Sequence, residues 1–269
     1  MSISGLGAGP AGSGAVHETA VVDATAVIAD DVMIGPYTVV GPNVRIGPGT
    51  EIGPHVHIVR DTTIGENCRI HHGAAIGGDP QDLKYGGEHA ELIIGNNNVI
   101  REFVTLNRGT SAHGKTEIGS NCLFMAYAHV AHDCIIGDHV ILANSVNMGG
   151  HVLIEDHVIV GGLTAIHQFV RIGKHAFVGG SAAVMKDVPP FVKAAGNPLK
   201  LYGLNSLGLQ RRGFSEATRM TLKRAYRFLF SSSLNIGQAL AQARSELEMS
   251  PDVEHFLTFI QQSERGVTV

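Results

Sequence analysis

The chain has 269 residues, a formal charge of −4 and a pI near 6.4, so it carries no basic footprint for nucleic acid. No apolar run reaches 18 residues, which argues against a membrane-spanning helix. Its three cysteines, Cys68, Cys122 and Cys134, fall at equivalent small positions of a repeat, so they are expected to be packing atoms in a reducing compartment.

Residues 1–15 (MSISGLGAGPAGSGA) have neither a basic leader nor a long apolar core and read as a flexible tail. From Val16 the chain counts in sixes. One register of every sixth residue runs unbroken to Val184, and 26 of its 29 positions hold Val, Ile, Leu, Met or Phe. The exceptions, Asp82, Glu88 and Ala112, lie in two polar, Gly-rich stretches, roughly 78–92 and 109–116, which read as inserted loops. Four places after the large residue comes a small one, and after 13 of the 26 comes Gly. A period of six fits neither a helix nor a hairpin array; it is the signature of a left-handed parallel β-helix, over residues 16–188. Three hexads then close a coil of 18 residues, with coils stacked about 4.8 Å apart. The glycine after each aliphatic residue is expected to supply the left-handed backbone of each corner.

Pro189-Pro190 marks the exit, and residues 189–269 read as a helical domain capping the last coil. Ser215 is the expected N-cap of a helix to Phe230. A second helix spans about 235–249. A third starts at Ser250-Pro251 and ends at Gly266.

Coil arithmetic locates the chemistry. With 18 residues per coil, His132 lies under Gly150 and Gly150 under Gln168, while Asp133 lies under His151. His129, His132, His151 and His167 therefore share one edge of the prism with Asp133. Such a cluster suits either zinc, which takes three histidines, or a general base that removes a proton from a hydroxyl or amine. Gly150 above His132 favours the base, because it leaves a gap and a backbone N–H where an oxyanion would form. A second column, His139, His157 and His175, has no carboxylate or glycine beside it and is expected to be a plain solvent-exposed ladder. Small residues also repeat at Asn144, Gly162 and Gly180, and a strip without side chains would make a shallow groove for an alkyl chain.

The segments QDLKY (81–85), NRGT (107–110), AHVAHDC (128–134), ILANSVNMGGH (141–151), AIHQF (165–169), DVPP (187–190) and LNSLGLQRRGF (204–214) resemble the acyl-[acyl carrier protein]–UDP-N-acetylglucosamine O-acyltransferases, which open lipid A biosynthesis. The resemblance runs from about Val16 to the C-terminus. It implies that His132 is the base acting on the glucosamine 3-hydroxyl, with Asp133 as its partner and Gly150 as the amide that steadies the intermediate. It places His129, His151, His167 and Gln168 around the sugar and thioester, and Asp82 and Lys84 on a loop reaching the substrate. Asn205, Arg211 and Arg212 come at the nucleotide end, and Gly180 limits acyl length. It further implies a cytoplasmic homotrimer with intersubunit sites, using a 3-hydroxyacyl carrier protein and UDP-N-acetylglucosamine without metal or cofactor. Leu207, where relatives often carry Glu, and Pro198, where some place His, are departures. A γ-type carbonic anhydrase and an acetyl-coenzyme A-dependent hexapeptide transferase are the competing assignments.

Overall fold

A computed structural model describes residues 14–269; most of the expected tail, residues 1–13, lies outside the described residues. Two-residue strands alternate with tight corners and assemble into three sheets of nine, eight and ten strands, parallel except for the last strand of the ten, which form the sides of a triangular prism. Strand partners are 18 residues apart, as in Asn147 with Ala165 and Ala165 with Ala183. The large residue of each hexad points inward, and Ile58, Ile76, Ile100, Phe124 and Leu142 are fully buried. Each such side chain contributes roughly 1.5–3 kcal/mol of burial, added coil by coil. The cysteines are free and buried among them, and burial pushes the thiols of Cys122 and Cys134 up to about 12.

Both insertions preserve the register. Leu92 pairs with Thr62 below and Thr116 above, separations of 30 and 24. Measured against 18, the loops add twelve and six residues, whole hexads in each case. The six-residue count therefore never slips.

The corners correct one expectation. The left-handed residue is the third after the aliphatic position, not the glycine directly after it: Tyr37, Asn43, His55, Asp133, His151 and Phe169 all have φ between 56° and 64°. Asn, Asp and His tolerate this conformation better than other side chains. The glycines serve close approach instead. A Cβ on Gly35 would lie 2.8 Å from the backbone of Gly53, and one on Gly161 would lie 2.4 Å from Gly180 N. Gly77, with φ 71°, is an exception.

The prism continues past Pro189-Pro190. Val192–Ala195 joins the ten-stranded sheet beside Phe177–Val178, and Lys200–Leu204 folds back on it antiparallel. Four helices follow: α1 (Ser206–Arg211), α2 (Glu216–Phe230), α3 (Ile236–Glu246) and α4 (Pro251–Gln261). The hairpin and α1 were not anticipated. The caps are the expected ones: Ser215 accepts from Thr218 N and Ser250 from Val253 N, while Asn235 and Gln238 form a capping box. α3 ends three residues before Met249. α4 stops at Gln261, well short of Gly266, because the chain there turns to pair with the prism: Gly266 O accepts Asp187 N at 3.1 Å, and Asp187 O accepts Thr268 N at 2.8 Å. α4 buries Val253, Phe256, Leu257 and Phe259, and Phe256 packs edge-on against Phe191 at the top of the prism. Among the described residues, no helix is long and apolar enough to cross a membrane.

Candidate active site

The edge between the nine- and eight-stranded sheets carries His132, Asp133, Gly150 and His151, because the corner after Val130 and the corner after Met148 are adjacent coils. Asp133 occupies the left-handed position with φ 58°. His132 Nδ1 lies 2.8 Å from Asp133 Oδ2, and the His151 ring stands perpendicular to His132 at 5.2 Å. The Asp133 side chain is fully enclosed and that of His132 is 11 % exposed. With Nδ1 committed to the carboxylate, Nε2 is the nitrogen left to face a substrate.

Gly150 sits directly over that ring. A Cβ there would lie 2.5 Å from Cε1 and 2.7 Å from Nε2 of His132, so no other residue fits without displacing the imidazole. Among the described residues no backbone carbonyl accepts the Gly150 N–H. This places an open amide beside the nitrogen that would handle the proton.

The second loop supplies a contact that the sequence did not reveal. Thr110 N donates to Asp133 Oδ1 at 2.9 Å and Thr110 Oγ1 donates to Oδ2 at 2.7 Å. Burial alone would raise the Asp133 carboxyl, but the hydrogen bonds from Thr110 and His132 outweigh it and hold the group below its ordinary value. His151 moves down through burial, with Asp133 acting against and His132 and His113 acting with that shift.

The remaining members of the cluster sit nearby with other partners. His129 Nδ1 is 2.7 Å from Thr105 Oγ1, and its pKa falls through burial and the charge on His132. His167, one coil higher, lies with Nδ1 2.8 Å from Arg265 Nη2, reached from the C-terminal segment. Gln168 is exposed, and its backbone N would lie 2.8 Å from a Cβ on Gly149. Asp82 Oδ1 accepts Lys84 N at 2.9 Å on the first loop, and the Asp82 charge acts on His151. Lys84 itself is exposed.

Phe169 stacks on His151 at 4.5 Å and was missed, although coil arithmetic puts it directly above that ring. His113, 5.3 Å from His151, and Arg265 come from a loop and a terminus, where no periodicity marks them. The cleft beside His151 is lined by these residues together with Asp133, Arg171 and Ile135. His132, Asp133 and His151 also put possible ligand atoms within 4.8 Å of one another, so a cation would fit there geometrically. The 2.8 Å contact between His132 Nδ1 and Asp133 Oδ2, however, already joins two of these three residues directly.

The histidine ladder overturns its expectation. His139, His157 and His175 do stack, with centroids 4.6 Å apart, along the edge between the eight- and ten-stranded sheets. Only His139 is exposed. The chain around α1 covers the others: Arg212 Nη1 lies 2.7 Å from His157 Nδ1, Asn205 Nδ2 donates to His175 O at 3.0 Å, and Phe214 packs edge-on against His175. Burial, reinforced by Arg212 and the neighbouring rings, pushes His157 down to about 4 and His175 to about 3. Arg211, one residue before Arg212, is exposed.

Gly180 stands on the third edge, between the ten- and nine-stranded sheets. Its Cβ position is 3.0 Å from Gly162 O, and that of Gly162 is 3.0 Å from Asn144 O, so the expected column of small residues is present. The expected site residues are thus divided among all three edges: the His–Asp cluster on one, Asn205 and Arg212 on another, Gly180 on the last. One chain does not bring these groups together.

The comparisons with known proteins agree with this architecture. Residues 187–268 match the family model described as Udp N-acetylglucosamine O-acyltransferase, domain 2, and residues 25–60, 43–78 and 115–150 match bacterial transferase hexapeptide repeats. An acyl-[acyl-carrier-protein]–UDP-N-acetylglucosamine O-acyltransferase of Anaeromyxobacter dehalogenans is 50 % identical over 255 residues, covering 94 % of this chain and 99 % of the relative. The enzyme of the same name from Thiobacillus denitrificans is 47 % identical, covering 94 % and 98 %. Among solved structures, LpxA from Acinetobacter baumannii superposes with a TM-score of 0.92 at 47 % identity, covering 94 % of this chain and 99 % of that one. The Arabidopsis UDP-N-acetylglucosamine acyltransferase gives 0.85 at 37 %, covering 95 % and 100 %. The chain belongs to the acyl-[acyl-carrier-protein]–UDP-N-acetylglucosamine O-acyltransferase family, built as a left-handed β-helix with a C-terminal helical cap.

Proposed function

We propose that this protein moves a 3-hydroxyacyl chain from the thioester of acyl carrier protein to the glucosamine 3-hydroxyl of UDP-N-acetylglucosamine, the first step of lipid A biosynthesis, with His132 as general base. The carrying observation is His132 held between Asp133 Oδ2 at 2.8 Å and a glycine that cannot be anything larger. His132 Nε2 takes the proton of the 3-hydroxyl as its oxygen attacks the thioester carbonyl carbon. Asp133 fixes the tautomer and supports the imidazolium that forms. The negative charge on the former carbonyl oxygen meets the Gly150 N–H. Collapse expels the pantetheine sulfur, which receives the proton from His132, and the base returns to its starting state.

The resemblance supplies the other assignments, and placement supports them. His129, His151, His167 and Gln168 surround the reacting atoms, and Asp82 and Lys84 approach from the first loop. Asn205, Arg211 and Arg212 take the nucleotide, where a guanidinium suits a diphosphate. Gly180 ends the acyl groove. Because these groups occupy separate edges of one prism, the working enzyme is a homotrimer in which one chain's His132 edge faces another chain's Gly180 and Arg212 edges, and it acts in the cytoplasm. Purified protein incubated with UDP-N-acetylglucosamine and a panel of 3-hydroxyacyl carrier proteins should give the 3-O-acyl sugar nucleotide by mass spectrometry. Turnover of coenzyme A thioesters in preference to carrier-protein thioesters would refute the donor assignment.

A further inference from the structure

Asn107-Arg108-Gly109-Thr110 leaves the prism just below the proposed base, and each of its four residues has a distinct physical task. Asn107 Nδ2 donates to Asp79 O at 2.7 Å. Arg108, only 2 % exposed, donates to Gly77 O, to Asp79 Oδ1 and, at 3.2 Å, to Tyr85 Oη, so it ties down the first loop from within. Gly109 runs so close to the strand that follows the loop that a Cβ would lie 2.4 Å from Lys115 N, which excludes a side chain. Thr110, 7 % exposed, then meets Asp133 with both its amide and its hydroxyl.

We infer that Thr110 is a positioning residue for catalysis, clamping both Asp133 oxygens so that Oδ2 is aimed at His132 Nδ1. A carboxylate on a single bond can rotate. Two donors from one residue, one to each oxygen, stop that rotation, and Oδ2 then lies at 2.7 Å from the hydroxyl and 2.8 Å from the imidazole. The backbone of Asp133 is fixed in turn by its own N–H, which donates to Thr116 Oγ1 at 2.8 Å. The Thr110 hydroxyl therefore acts on the reaction through Asp133, without touching substrate. This inference rests on His132 being the base.

The charged and titratable groups around the pair are His129 on the adjoining sheet face and His151 on the coil above; His113 and Asp82 act on His151, and Arg171, Asp187, Glu264 and Arg265 line the same cleft as Asp133. All remain in place in a Thr110→Val variant, which keeps the shape and the amide contact and removes only the hydroxyl. A hydrogen bond to a charged acceptor of this kind corresponds to a ten- to hundred-fold effect, roughly. Thr110→Val should lower kcat by about that factor and leave KM for the sugar nucleotide within about twofold. The acid limb of the pH–rate profile should move to lower pH, because the protonated imidazole loses support from a misaimed carboxylate. Thr110→Ser, which restores the hydroxyl, should recover most of both effects, with melting temperatures recorded for every variant. A Thr110→Val enzyme with wild-type kcat and an unmoved limb would overturn the inference, as would a Thr110→Ser enzyme no better than the valine variant. His132→Ala measured alongside separates the two levels: an active His132→Ala enzyme removes the base assignment itself, whereas an inactive one beside a normal Thr110→Val removes only the clamp.

Discussion

Replacing Gly150 with alanine adds one methyl group to the whole protein, and the structure says where it goes. The new Cβ would lie 2.5, 2.7 and 3.0 Å from Cε1, Nε2 and Nδ1 of His132, against an ordinary contact of 3.4–4 Å. The backbone can accept alanine, since Gly150 is not among the residues with positive φ. The imidazole must therefore retreat by about 1 Å, and it cannot do so and keep both its 2.8 Å bond to Asp133 and its edge-on contact with His151. A misplacement of that size costs about 10²-fold in rate, and losing the aligned carboxylate adds to it, so kcat should fall roughly 10²–10³-fold. Local overpacking of about 1–3 kcal/mol lowers the melting temperature by several degrees in a chain of this size, so the protein still folds. The assay is steady-state turnover of 3-hydroxyacyl carrier protein with a melting curve on the same sample. If the methyl acts through the ring, adding it to His132→Ala should cost almost nothing further, because residues that act as a unit are not additive. Turnover within about threefold of wild type, or a large further loss in the double variant, would refute the reasoning.

Other outcomes can be stated more briefly. His132→Ala should lose roughly 10²–10⁴-fold in turnover with its melting temperature nearly unchanged, and wild-type activity would remove the base assignment. Gly180→Met should shift preference toward shorter 3-hydroxyacyl donors by several-fold per carbon pair, given about 0.8 kcal/mol per methylene; an unchanged preference means the acyl chain lies elsewhere. His157 and His175 titrate near 4 and 3 in the fold because they are buried beside Arg212 and each other. They bind fewer protons folded than unfolded from the ordinary histidine range down to about pH 4 for His157 and about pH 3 for His175, so the melting temperature should fall as pH drops through that window, and His175→Gln should flatten the fall. Prolonged dialysis against a chelator should leave kcat unchanged, and a loss restored by zinc would make His132, Asp133 and His151 metal ligands.

The repeat was legible because its cause is periodic. A parallel β-helix needs a large inward residue every six positions, and the sequence shows that directly. The same arithmetic places Gly150 over His132 and Asp133 under His151. It misassigned the conformational role of the glycines, since close approach between coils and left-handed backbone both select Gly and only three-dimensional distances separate them. The ladder of His139, His157 and His175 was read as exposed because the covering residues, Arg212 and Phe214, are more than 35 positions away and belong to a region without a repeat. Thr110 was invisible for a related reason. It lies in an inserted loop, and its bonds to Asp133 span 23 residues that no six-residue count connects.

A prism of this kind separates its functions by construction. Positions 18 apart stack on one edge, so each edge carries its own columns of side chains along the prism. The His132 cluster, the Gly162–Gly180 strip and the Arg212 contact accordingly stand on three different edges, and each can change without disturbing the others' register. A reaction that needs a base, a nucleotide grip and an acyl groove at one point must then draw on edges from more than one chain. That is the physical argument for the proposed trimer, and it makes a direct demand. Chains carrying His132→Ala, mixed and reassembled with chains carrying Gly180→Met, should regain active sites in which the wild-type base of one chain meets the wild-type groove of another. Activity toward long acyl donors should therefore exceed the sum of the two parents. No gain on mixing, with subunit exchange verified by light scattering and mass spectrometry, would place base and groove on the same chain and end the argument.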